Sequence, residues 1–152
     1  MYKNVNPSLK KLTPYYQRFI HRYAIEVGYR PLPNKTMNFR KLNVWQQAKD
    51  LTVYIYKLTA QGAFHRDLGL REQIQRAAVS IPSNIAEGNE LNTDKQAVRH
   101  FYIAKGSAAE VLTQSIIAFE IGYLDQTHFS HIEEECRKIS GMLQRLIQAR
   151  SK

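Results

Sequence analysis

Arg76-Ala-Ala-Val-Ser-Ile-Pro-Ser-Asn-Ile-Ala-Glu-Gly88 is the stretch whose reading decides the fold. It has the spacing of the second half of an amphipathic helix, yet it holds Ser80, Pro82, Ser83 and Asn84, all poor helix formers. Extended back to Leu70, its apolar residues Leu70, Ile74, Ala77, Ala78, Ile81 and Ile85 fall on one face. Gln73, Arg76, Ser80, Ser83 and Glu87 recur every three or four residues and form a second, polar stripe with Asn84 beside it. Pro82 has no N–H for the carbonyl of Ala78, which predicts a local kink. Ala77, Ala78 and Ser80 are small enough to admit a neighbouring helix closely. Gly88 predicts the helix end.

Two readings of the polar stripe compete. It is either a solvated face or a seam between helices or subunits. In the seam reading Arg76 pairs with Glu87 or with Glu110, because a buried arginine needs a partner. Ser107 and Glu110, farther along the chain, complete that candidate assembly surface.

Three more helices surround this one. The first is predicted over about Asn43–Gln61, with Val44, Ala48, Leu51, Ile55 and Leu58 as its seam and Trp45 closing one end of the core. Gly62 stops it, and a loop is expected from Ala63 to Gly69. The motif helix then runs from about Leu70 to Glu87. Thr93 and Gln96 make a capping box for a long third helix reaching Ile121. Its seam is Phe101, Ala104, Ala108, Val111, Ser115 and Phe119, with Gly106 and Ser107 permitting close approach. Gly122 ends it. Asp125 or Thr127 opens a last helix to about Ala149, with Ile132, Cys136, Ile139, Leu143 and Leu146 inward. No strand pattern competes. Four helices with short connections imply an all-α, antiparallel up-and-down four-helix bundle over residues 37–152.

Residues 1–36 have a different composition. They hold four of the five prolines, and seven basic residues against one acidic residue give +6 of the chain's +9. The bundle portion keeps only +3. A short helix is predicted between Pro14 and Gly28, with Tyr16, Phe19, Ile20, Tyr23 and Val27 on one side. Pro31-Leu-Pro-Asn34 reads as an extended linker. Three roles fit this N-terminal extension: a basic aromatic arm for nucleic acid, a docking element for a neighbouring subunit, or an upstream extension before Met37.

The chain's 152 residues suit one core. No apolar run is long enough to span a membrane, and no signal-peptide core is present, so a cytoplasmic protein without membrane attachment is expected. Cys136 is the only cysteine and sits on an apolar face, as a small core residue would. The phosphate-binding glycine loop, the Gly-x-Ser-x-Gly elbow and the His-Glu-x-x-His pair are missing. No helix carboxylate has the Glu-x-x-His spacing of a di-metal bundle. His128, His131 and Glu135 share a helix face and are the one metal-enzyme alternative, against an exposed first turn of the last helix. No catalytic residue, cofactor or metal is therefore expected.

Three segments carry a resemblance: Phe39-Arg-Lys-Leu-Asn-Val-Trp45, Gln73 through Gly88, and Ile103-Ala-Lys-Gly-Ser-Ala-Ala-Glu110. Together with Ile121-Gly-Tyr-Leu124 they resemble, in order and spacing across roughly residues 38–149, the four-helix bundle proteins encoded by intervening sequences of bacterial 23S rRNA genes. The resemblance implies an up-and-down bundle assembling into a ring-shaped homopentamer, with no established catalytic reaction. A related bundle is the accessory protein of diversity-generating retroelements, which implies binding of RNA or DNA or of a ribonucleoprotein partner. Candidate phosphate contacts are Arg40, Lys41, Lys49, Lys57, Arg66, Arg71, Lys95, Arg99 and Lys105, although for any one of them a solvated surface charge is the simpler reading. The alternative is a protein-interaction scaffold without nucleic-acid affinity. Residues 1–36 have no counterpart in the resemblance.

Overall fold

The computed structural model describes residues 38–151. The expectations placed on residues 1–36 lie outside them. Every regular element among the described residues is helical. A 3-10 turn at Phe39–Lys41 precedes α1 (Asn43–Thr59), α2 (Gly62–Arg66), α3 (Leu68–Glu90), α4 (Asp94–Glu120) and α5 (Gln126–Arg150). The four long helices pack antiparallel in the order α1, α3, α4, α5, and α5 closes back on α1. The α3–α4 pair shares the most extensive interface. No helix among the described residues is long and apolar enough to cross a membrane.

The core follows the predicted stripes. Ala48, Ile55, Ala78, Ile81, Ile85, Phe101, Ala104, Val111, Ile132, Ile139 and Leu143 are fully buried. Cys136 is buried among them, and burial, helped by the charge of Glu135, pushes its thiol up to about 12. It is a core residue. Four positions differ from the predicted seams. On α1 Thr59 is buried and Leu58 only borders the core, as Leu70 does on α3. On α4 the buried residue is Ala118, while Phe119 is half-buried and stacks on Phe129 with ring centroids 4.8 Å apart. On α5 Ile147 is buried and Leu146 only borders the core.

The boundaries show where local signals were misleading. Helix α1 ends at Thr59, two residues early, because Gly62 at φ +60° redirects the chain and the segment expected as a loop folds into α2. Phe64 supplies the driving force: it is 2% exposed and plugs the end of the bundle against Tyr123. Asp67 then caps α3 by accepting from the amide of Leu70, so the helix begins at Leu68. Gly88 does not end it. The helix continues to Glu90, and Gly88 is buried where α3 meets α4. A Cβ built there would lie 2.7 Å from Cε1 of Phe101 and 3.0 Å from the carbonyl oxygen of Ala97. Here glycine serves close approach rather than a left-handed turn.

The other caps match their signals. Thr93 Oγ1 accepts from the amide of Gln96 and donates to its side-chain oxygen. Asp125, not Thr127, caps α5 by accepting from the amide of His128. Gly122, at φ +80°, closes α4: its N–H bonds the carbonyl of Phe119, and the N–H of Tyr123 bonds that of Ala118. That is the paired hydrogen bonding of a Schellman terminus.

Pro82 lies inside α3, and its missing N–H has a compensating donor. Thr52 Oγ1, on α1, lies 2.9 Å from the carbonyl oxygen of Ala78 and 2.8 Å from that of Ala48. Ala78 is fully buried, so its carbonyl would otherwise lose a partner. Thr52→Val should cost about 1–2 kcal/mol, the penalty for an unmet buried acceptor. In a Pro82→Ala background, where an amide is restored, the same change should cost less than about 0.5 kcal/mol. Denaturant unfolding of the four variants at one protomer concentration measures that coupling. Equal costs in both backgrounds would show that Thr52 does not serve the proline.

Candidate functional site

The polar stripe of α3 divides into two groups once α4 is packed against it. Ser80, Asn84, Glu87 and Ser107 come together, joined by His100 of α4. Ser107 Oγ donates to Ser80 Oγ at 2.8 Å. The amide nitrogen of Asn84 donates to the carbonyl and the hydroxyl of Ser80, at 2.9 and 3.1 Å. That orientation leaves Asn84 Oδ1 facing His100 Nδ1 at 3.1 Å, with Glu87 Oε2 3.3 Å from the same nitrogen. Both partners are acceptors, so Nδ1 carries the proton. The histidine therefore reaches Asn84 and Glu87 and makes no hydrogen bond to either serine. The arrangement is a hydrogen-bonded tie between two helices rather than an activated hydroxyl.

Gln73, Arg76, Ser83 and Glu110 do not join it. They are exposed on the outer surface. Arg76 forms no ion pair with Glu87 or Glu110 among the described residues, because Glu87 is turned toward His100 and Arg76 is left facing solvent. Within the chain, only the inner edge of the stripe meets a neighbouring helix. His100 was missed by sequence reasoning. Its signal is register: His100 precedes Ser107 by seven residues and Glu87 follows Ser80 by seven, so antiparallel helices that pair one couple also pair the other.

The histidines of α5 pack on α1. Tyr54 Oη lies 2.6 Å from His128 Nδ1, and the ring of His131 meets Tyr54 edge-on at 4.5 Å. Partial burial, with the charge of Asp125 adding to it, raises the Tyr54 phenol above its usual value. Asp125 lies 3.8 Å from His128 Nε2. Glu135 instead pairs with Lys138 at 3.0 Å. Lys138 also holds Glu134, and the mutual hydrogen bond lowers that carboxyl and raises the ammonium. His128 and His131 thus both meet Tyr54 while Glu135 turns to Lys138, and no metal-binding group of three or more such residues occurs among the described residues.

The nine candidate phosphate contacts are dispersed. Lys49 pairs with Asp50 at 2.6 Å. Lys105 donates to Gln144 across to α5, and Arg71 donates to the carbonyl of His65. Arg40 lies over the ring of Phe39. Lys41, Lys57, Arg66, Lys95 and Arg99 are exposed and form no ion pair among the described residues. A shallow, mostly apolar groove of about 350 Å³ lies between α1 and α3, walled by Phe39, Trp45, Val53 and Pro82. Trp45 meets Phe39 edge-on there, closing the end of the core as its position suggested.

The most unusual surface is the outer face of α4. Tyr102, Ile103, Ile116, Ile117 and Ile121 are exposed, Tyr102 by 53% and Ile121 by 51%. Between Arg99 and Glu120 the only charges are Lys105, turned to Gln144, and Glu110. Gly106 is on this face too, with nothing within 4 Å of a built Cβ, so it does not serve packing inside the chain as its size suggested. The outer surface of α5 has the opposite character, carrying Glu133, Glu134, Arg137, Lys138 and Arg145. A helix with apolar residues inside and out has a second surface to cover. The signal was legible as a surplus of isoleucines beyond one stripe.

The family model of the 23S rRNA-intervening sequence proteins matches residues 40–145 of this chain. Among solved structures, a protein of unknown function from the S23 ribosomal protein family of Bacteroides thetaiotaomicron is similar, with a TM-score of 0.64 and 20% identity. The similarity covers 68% of this chain and 97% of that one, and at this identity it bears on the fold alone. No curated protein matches.

Proposed function

This chain belongs to the 23S rRNA-intervening sequence protein family, and from that membership we propose that it is a non-catalytic homo-oligomer that binds nucleic acid or a ribonucleoprotein partner. The observation that carries self-association is the exposed apolar face of α4. Leaving such a face in water forgoes roughly 25 cal/mol for each Å² that a partner would cover. A second copy of the chain is a partner always present at matching concentration. The small residues Gly106 and Ala109 at its centre let another helix come near.

The nucleic-acid half of the reading rests on charge. The full chain carries +9, and a ring of five copies would multiply that field around one particle. Light scattering on the purified full chain should give about 88 kDa, five times the 17.7 kDa of one copy. Fluorescence anisotropy with a labelled RNA should show binding at 50 mM salt that weakens steeply by 200 mM, as counterion release requires. A particle of single-chain mass removes the oligomer. An assembled particle with no RNA or DNA affinity at 50 mM salt leaves the protein-interaction scaffold instead.

A further inference from the structure

The charges of the bundle are sorted by end, and the sorting distinguishes among the candidate phosphate contacts. The antiparallel order places the 3-10 turn, the α3–α4 connection and the end of α5 at one end. Arg150 Nη1 to Asp94 Oδ1 at 3.0 Å, and Phe39 beside Pro82 and Ala86, tie those segments together. The α1–α2–α3 connection and the α4–α5 turn occupy the other end. Each long helix can be divided at its midpoint, with the central Lys138 counted at the second end. Among the described residues, the first end then has eight basic residues against four acidic ones, and the second has six against eight. The bundle therefore runs from +4 to −2 along its axis.

Pairing sharpens the difference. At the first end Asp50 is held by Lys49, Asp94 by Arg150, and Glu87 faces His100. Glu90 is the one acid there without an ion pair among the described residues. Arg40, Lys41, Lys95, Arg99 and Arg145 are exposed at that end and form no ion pair among them. At the second end Lys57, Arg66 and Arg71 stand among Asp67, Glu72, Glu120 and Asp125. A phosphate chain approaching that end meets a net negative field.

We infer that nucleic acid docks on the first end of the bundle, its phosphates held by Lys41, Lys95, Arg99 and Arg145 with Arg40 at the rim, and that Lys57, Arg66 and Arg71 take no part. The inference rests on the nucleic-acid reading proposed above. The recognition is of backbone charge. These residues are long, exposed cations without a preformed fork of partners around them, so they place phosphates and discriminate little between bases.

The test uses the full chain and a labelled single-stranded RNA of about 30 nucleotides, followed by anisotropy between 50 and 200 mM salt. Two double variants change the first end, Lys41→Glu/Arg145→Glu and Lys95→Glu/Arg99→Glu. A third, Lys57→Glu/Arg66→Glu, makes the same charge change at the second end. Light scattering confirms that each keeps the wild-type mass. Each first-end pair should weaken binding about tenfold or more and flatten the salt slope by about one for each phosphate no longer held. The second-end pair should bind within about twofold of wild type. Failure of the wild type itself to bind at 50 mM salt would remove the nucleic-acid reading. If the wild type binds but the second-end pair loses as much as the first-end pairs, or no pair loses affinity, the docking end is wrong. Tighter capture by phosphatidylserine vesicles than by RNA, lost in the same first-end variants, would assign that end to an anionic membrane surface and overturn the inference.

Discussion

Gly88→Val is expected to destabilise the protein by about 3 kcal/mol, the upper part of the range for overpacking a close contact. At about 2–4 °C per kcal/mol for a chain of this size, the melting temperature should fall by roughly 6–12 °C. The cause is local. A first carbon beyond the backbone at residue 88 arrives 2.7 Å from the Phe101 ring and 3.0 Å from the backbone carbonyl of Ala97. The ring is fully buried and has little room to turn, and the carbonyl belongs to the helix itself. Gly88→Ala separates the two effects. Alanine gains about 1 kcal/mol of helix propensity yet should still lose net stability by about 1 kcal/mol. Adding Phe101→Leu removes the ring edge, so the combination should cost less than the sum of the single changes. If Gly88→Ala is more stable than wild type at equal protomer concentration, residue 88 is not a close-approach position.

The second large effect concerns assembly. Ile103→Glu with Ile117→Glu puts two carboxylates on one exposed face of α4 and should reduce the particle to a single chain of 17.7 kDa. A desolvated, unpaired charge costs several kcal/mol, and each 1.4 kcal/mol is a tenfold change in the dissociation constant. Weakening by at least about a hundredfold is expected, visible as a loss of mass at micromolar concentration. Both positions are already exposed, so helical content by circular dichroism should remain that of the wild type. Unaltered mass with unaltered helicity would place the subunit contact elsewhere. The outward residues Gln73, Arg76 and Ser83 on α3 would then be the next surface to test.

The sequence made the fold legible because four stripes of period 3.6 each had a stop signal nearby. It failed where a tertiary contact reassigned a residue's job. Gly88 has the local marks of a terminator, and only the Phe101 ring packed beside it explains why the helix passes through. Phe64 sits in a stretch too short to show periodicity, so burial against Tyr123, not local propensity, made α2. The polar stripe was half legible. Spacing put Ser80, Asn84 and Glu87 together, but which neighbour they met depended on the α3–α4 register, and that brought in His100 instead of Arg76. The outer isoleucines of α4 are plain in the sequence, but periodicity alone does not separate them from core residues, because an apolar residue on a helix is first assigned to the core.

The turn at Leu91–Thr93 joins the two helices that touch most, and Gly88, three residues before it, meets Phe101, eight residues after it. A closure so short costs little chain entropy, so this hairpin can form before the distant helices arrive. The missing side chain at residue 88 then acts as an index mark. Sliding α4 by one turn would bring the Phe101 ring against Asn84 or Asn92 instead of a glycine. The pair therefore has one register in which it closes fully. The order of assembly that this favours is a hairpin set first, with α1 and α5 laid onto a template whose alignment is already fixed.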